Sequence, residues 1–409
     1  SSTKTGSTYV NATYANYTSK KLFITFVPSF TTSTTSSTST TTSSTSTTTS
    51  TSTSTSTSVS STSTSSSTST STSTSTSTSS TSSTSTLPYV YCVGGSNGNG
   101  PVSNVYYLNS QYGLWSSTTS YPISIFAPSC VYDSYNGYVY CIGGYSGSGA
   151  TNAVYYSKPS LTGGLGAWQQ TTSYPLAIDE ASCVLVPYSA AGLGGYDEIV
   201  CIGGGTNAIY AAPVLPGGGL GSWSTSNFNG SAVINYPFSV SESSCFSYVK
   251  ENSSASWIYY IFCVGGFNNN AGSTTNLVYS TKDSGWGFSK WQPQPNYPVA
   301  IDSESCDGLG ACVGGGASNA YFISMNTLNP NNVYITGWSP TNNVPIGGES
   351  CAVIDYSGYD YIYCVGGGTN KAYESYIGAG LSWQSVLDYP SSIYYAGCFS
   401  TSPYDYTNG

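Results

Sequence analysis

The sequence predicts an all-β protein built from six repeated units, and three observations carry that expectation. The phrase YVYCVGG at Tyr89–Gly95 returns as YVYCIGG (138–144), EIVCIGGG (198–205), YIFCVGG (260–266), GACVGGG (310–316) and YIYCVGGG (361–368). Counted at Gly95, Gly144, Gly204, Gly266, Gly315 and Gly367, the steps are 49, 60, 62, 49 and 52 residues, a period that points to a propeller or another repeat array. Between these phrases, short β-branched and aromatic runs alternate with Gly, Asn, Ser and Pro, the pattern of strands and turns. Finally, the 12 cysteines recur in step with the period.

Within each repeat the landmarks follow a fixed order. The Gly-Gly strand leads to a short loop ending in Asn104, Asn152, Asn207, Asn276, Asn319 or Asn370, then to a tyrosine-bearing run such as NVYYLN. Asparagine tolerates left-handed backbone and bonds its own turn, so this position is expected to form a turn. One tryptophan follows (Trp115, Trp168, Trp223, Trp291, Trp338, Trp383), expected to pack between repeats because it holds the same place in each. Trp257 and Trp286 fall outside that register and are expected to be exposed. A Tyr-Pro pair comes next at Tyr121, Tyr174, Tyr236, Tyr297 and Tyr389, replaced by Val344-Pro345 in one repeat, and a cysteine-bearing run closes the unit.

This order, a hydrophobic strand ending in Gly-Gly, then Tyr, then Trp at about 50 residues per unit, resembles the Kelch repeat. The resemblance covers residues 87–409 and implies four-stranded blades, hence a six-bladed β-propeller. Repeat symmetry then pairs Cys130 with Cys141, Cys183 with Cys201, Cys245 with Cys263, Cys306 with Cys312 and Cys351 with Cys364, each across one hairpin. Cys92 lacks a preceding strand and Cys398 a following one, so these two are expected to pair, with the last strand completing the first blade.

Ahead of the repeats lie two other segments. A chain beginning at Ser1 is read as having lost a leader. Residues 1–30 hold sequons at Asn11 and Asn16 and the apolar run LFITFV, too short to span a bilayer and read as one β-strand. That strand packs on its own chain or augments a sheet in a partner. Residues 31–86 are Ser and Thr except for Val59, unable to bury a core and expected to act as a tether or, if O-glycosylated, a stalk. Asn229 and Asn252 add two sequons within the repeats.

Composition narrows the function. Only 6% of residues are charged, His is absent, all eight basic residues are lysines, and the net charge is −9. Clustered Lys and Arg, which nucleic acid or an anionic membrane would require, are missing. The cysteines indicate an oxidising, extracellular compartment. Few ionisable groups beside 39 tyrosines resemble surface proteins of acidophilic archaea, and few carboxylates leave little charge to lose in acid. Among Kelch-type folds, the copper oxidase needs His; six-bladed sialidases need Arg. No Ser-His-Asp or Cys-His nucleophile can be assembled; what survives is a pair of acids acting as in a glycosidase, Asp179 with Glu180 or Asp302 with Glu304, which no other feature supports, and no enzymatic activity is expected.

Six of the 17 acids precede first-strand cysteines: Asp179, Glu180, Glu242, Asp302, Glu304 and Glu349. If those strands are innermost, the acids form a ring at a channel mouth. Such a ring would hold Ca²⁺ or bond sugar hydroxyls beside stacking tyrosines, or would accept backbone N–H groups and shape its own loops. The expected function is cell-surface binding or adhesion, with glycans or partner surface proteins as ligands. The competing expectation is a structural subunit of an archaeal filament or pilus assembling through residues 1–30, or a virion spike or fibre head.

Overall fold

The computed structural model describes residues 88–109, 113–188, 196–225, 234–251, 257–283, 287–307, 310–315, 319–356, 358–378 and 380–402. The expectations for residues 1–30 and 31–86, the sequons at Asn11, Asn16, Asn229 and Asn252, and Trp286 lie outside them.

The described residues are all-β, with antiparallel sheets and no α-helix. The cysteine-bearing first strands are Ser129–Asp133, Ala181–Val186, Ser244–Glu251, Glu304–Cys306, Glu349–Tyr356 and Gly397–Ser400. Each pairs with a Gly-Gly strand, and the register sets cysteine opposite cysteine. All six disulfides follow: Cys130–Cys141, Cys183–Cys201, Cys245–Cys263, Cys306–Cys312, Cys351–Cys364 and Cys92–Cys398, the pairs that repeat symmetry predicts. The tyrosine strand and, in five sheets, the strand near the tryptophan lie beyond. The sheet of Ala181–Val186 ends after three strands, with an isolated bridge from Ala211 to Ser224 in the fourth place. A small additional sheet joins Val240–Ser241, Phe267–Asn268 and Ser273–Thr274.

First strands lie against one another in repeat order, and Gly397–Ser400 touches both Glu349–Tyr356 and Ser129–Asp133. The apolar interior is divided the same way, into six clusters that each draw on consecutive repeats. Tyr91, Val105 and Tyr121 pack with Val139 and Leu165, for example, while Val365 and Tyr389 pack with Val90 and Leu108 of the first repeat. The Gly-Gly turns allow this closeness. At Gly94 the backbone is left-handed (φ 61°), and a Cβ would sit 2.3 Å from the Ile125 carbonyl oxygen.

The tryptophan series packs between repeats. Five of the rings stand edge-on to the Tyr-Pro tyrosine of the preceding repeat, at centroid distances of 4.8–5.0 Å. All six indole N–H groups donate to a carbonyl of that repeat: Leu387, Thr119, Thr172, Ile234, Pro295 and Asn342. Trp383 faces the repeat that carries Val344, which explains its missing ring partner. Replacing Trp168 by Phe keeps a ring but strands the Thr119 carbonyl at a partly wet site, and is expected to cost about 1–2 kcal/mol in urea unfolding. A loss under a few tenths would dismiss the indole bond. Trp257 is not freely exposed as expected: it is half-buried against the cluster around Tyr259 and Ile261.

Candidate functional site

The first strands begin around one cavity of about 310 Å³, walled by residues from Ala127–Cys130 through Tyr395–Cys398, with all six repeats contributing. Three residues before each first-strand cysteine the backbone is left-handed: Ala127 (φ 49°), Glu180 (55°), Glu242 (57°), Ser303 (57°), Gly348 (69°) and Tyr395 (48°). Five of these are not glycine, so the surroundings impose the conformation. The Ala127 amide donates to the Tyr395 carbonyl (2.8 Å), Glu180 to Ala127 (3.3 Å), Glu242 to Glu180 (2.9 Å) and Ser303 to Glu242 (2.9 Å). Gly348 breaks the series and donates to Gly315. Two residues further along, the hydroxyls of Ser129, Ser182 and Ser244 accept the amide N–H of Cys183, Cys245 and Cys306. A belt of bonds between repeats thus fixes the mouth.

Of the six acids, Glu180, Glu242, Glu304 and Glu349 line this one cavity, while Asp179 and Asp302 are not among its lining residues. Asp179 and Asp302 stand four residues before their cysteines, Glu180 and Glu242 three, Glu304 and Glu349 two. Near an extended strand, each one-residue shift turns a side chain to another side. Glu304 and Glu349 are only 6% and 4% exposed, and their carboxyls fill the space that a side chain at Gly265 or Gly314 would need. Nearby backbone N–H groups form no well-aligned bond to them. Burial raises Glu304 well above the ordinary carboxyl range and pushes Glu349 up to about 8. Among the described residues, the one cluster spaced as metal ligands is Glu349, Cys351 and Cys364, whose thiols are consumed in a disulfide.

Of the four lining acids, Glu180 and Glu242 are half-buried, with Asp179 and Asp302 nearby. Burial, then Glu242, Asp179 and Asp302, push Glu180 up to about 7. The Ser303 hydroxyl donates to the Glu242 carboxylate, and Tyr395 lines the same cavity. Tyr395, Ser303, Glu242 and Glu180 thus bring two hydroxyls and two carboxyls to one mouth. Asp302 is held apart by the Thr274 hydroxyl, 2.9 Å from its carboxylate.

Beside these groups runs an aromatic strip that sequence reasoning did not single out. Tyr145 stacks on Phe126 (5.0 Å), which neighbours Tyr395 (6.4 Å), and Tyr395 neighbours Tyr394 (6.3 Å). Tyr394 and Tyr395 remain 41% and 38% exposed. The signal was available, since Phe126 and Tyr395 flank or occupy the position that carries Glu180 and Glu242 in other repeats. A second cavity of about 260 Å³ shares Cys130, Cys306 and Cys398 with the first and is lined by Val131, Leu185, Phe246, Val353 and Phe399. No protein-family model matches the chain, and no curated protein is significantly similar to it.

Proposed function

We propose that residues 87–409 form a six-bladed, Kelch-type propeller that serves as a non-enzymatic binding head at an extracellular surface, carried by the Ser/Thr-rich segment 31–86 as a stalk. The order of contacts among first strands, with Gly397–Ser400 pairing to Tyr89–Val93, supports the propeller arrangement. Six disulfides are compatible with an oxidising exterior, and no helix among the described residues is long and apolar enough to cross a membrane.

The observation that carries the binding role is the meeting, at one mouth, of exposed aromatic faces with carboxyl and hydroxyl groups. Rings offer stacking area, and the carboxyls of Glu180 and Glu242 with the Ser303 hydroxyl offer polar partners, the two contacts that a sugar ring demands. Glycans of a cell surface are therefore the favoured ligand class. The test is a panel of immobilised glycans probed with the full chain and with Tyr395→Ala. Loss of one stacking ring is expected to weaken capture about tenfold, with the melting temperature unchanged. Undiminished capture by the variant would remove the mouth from the binding surface.

A further inference from the structure

Three repeats carry a cluster of tyrosine rings on the sheet face that looks toward the following repeat, and in two of them the cluster is covered. In the first repeat Tyr89, Tyr91 and Tyr107 stand 5.7–6.2 Å apart. The second repeat lays its connection from Ser157 to Gln169 over these rings. The Tyr91 hydroxyl donates to the Gly163 carbonyl (2.7 Å), and a Cβ on Gly163 would sit 2.4 Å from Tyr107 and 2.7 Å from Tyr89. The third repeat treats the Tyr138 and Tyr156 rings alike, since a Cβ on Gly218 would sit 2.7 Å from each. Only glycine brings backbone this close to a ring, so the segments SLTGGLG (160–166) and LPGGGLG (215–221) are fitted to tyrosine. Under this cover Tyr89 and Tyr91 are only 4% and 0% exposed.

In the sixth repeat the outer rings are bare. Tyr361 stands three residues before Cys364, as Tyr89 and Tyr138 stand before Cys92 and Cys141, and it pairs across the sheet with Tyr376. Alternation along the strand puts Tyr359 on the same face, and Tyr359 and Tyr361 lie 5.8 and 5.7 Å from Tyr376. The neighbouring repeat on this side is the first, whose corresponding connection closes directly from Asn109 to its partner Leu114. Tyr359 and Tyr376 are left 56% and 42% exposed. The bare rings continue an interface already made, because Tyr361 packs into the cluster that joins Val365 and Tyr389 to Val90 and Leu108. Tyr376 is also braced from its own turn, where a Cβ on Gly378 would lie 2.2 Å from the ring. Fixed, exposed tyrosines are the anchors on which protein interfaces are built. We propose that this face docks an extended, glycine-bearing segment of a partner protein, seated as SLTGGLG is seated on Tyr89, Tyr91 and Tyr107. Glycine in that segment lets its backbone lie flat on the rings, and the phenols donate to its carbonyls. The surface is separate from the mouth and independent of the glycan reading.

The experiment immobilises two synthetic peptides, SLTGGLGA (160–167) and the same peptide with Gly163→Ala and Gly164→Ala, and measures capture of the full chain by interferometry. The glycine peptide is expected to capture the chain, and the alanine peptide to do so at least about tenfold more weakly. Tyr376→Ala in the full chain is expected to lower capture by the glycine peptide at least about tenfold as well. Tyr359→Ala serves as a second variant should the first fail to fold. Absence of capture, equal capture by the two peptides, or capture undiminished in the tyrosine variants would overturn the inference. Self-association of the full chain that Tyr376→Ala abolishes would also overturn it, by giving the face to a second copy. Glycan capture that Tyr376→Ala removes would overturn it by giving the face to a sugar.

Discussion

The buried Glu349 carboxyl by itself is expected to take about 5 kcal/mol from the unfolding free energy between pH 4.5 and pH 8, a share that Glu349→Gln removes. The sign follows from where the proton sits. Burial on Gly314 pushes the Glu349 carboxyl up from 4.5 to about 8, so between those values the native chain holds a proton that the unfolded chain has released. The native state binds more protons in that window, and stability falls as pH rises. The contribution is complete below pH 4.5, declines through the window and levels off above pH 8. Glu304, raised in the same direction, steepens the decline, whereas Gln at position 349 is neutral throughout. Urea unfolding at pH 3, 4.5, 6 and 8 reads the effect directly. Stability that stays level or rises toward pH 8 would show that Glu349 is not held as a neutral acid.

The second large effect concerns the crosslinks. Removing Cys92–Cys398 by the double change to Ser is expected to cost about 5–6 kcal/mol, against about 2 kcal/mol for Cys306–Cys312, because loop entropy in the unfolded chain grows with the logarithm of loop length. The two bridges enclose sequence separations of 306 and 6 residues in the same local strand geometry, with cysteine opposite cysteine. Local strain is therefore matched and loop length is the main variable. Denaturant unfolding of the two variants side by side tests this, and equal losses would contradict the entropic origin.

Much of this architecture could be read from the chain because repetition multiplies weak signals. One cysteine pair says little, but five at matching places, with Cys92 and Cys398 left over, dictate a pairing that the register reproduces. The tryptophans yielded to the same logic. The acids did not, because distance to the next cysteine was taken as equivalent when it differed by one or two residues. That offset separates Glu180 and Glu242, half-buried at the mouth, from Glu304 and Glu349, buried in the wall of the same cavity. The left-handed positions were hidden for a different reason. Ala, Glu, Ser and Tyr do not advertise positive φ, and only Gly348 hinted at it. Serine directly before cysteine in five repeats was visible, yet its bond to the next repeat depends on a neighbour that no local pattern names.

The pairing of the last strand with the first has a mechanical side. Tension applied to the chain ahead of Tyr89 enters the Tyr89–Val93 strand, which is flanked by hydrogen-bonded partners on both edges. At Cys92 a covalent link passes that tension to Cys398. Pulled between its two ends, the protein carries load through a few residues and one sulfur–sulfur bond, while the chain between the two cysteines lies off the line of force.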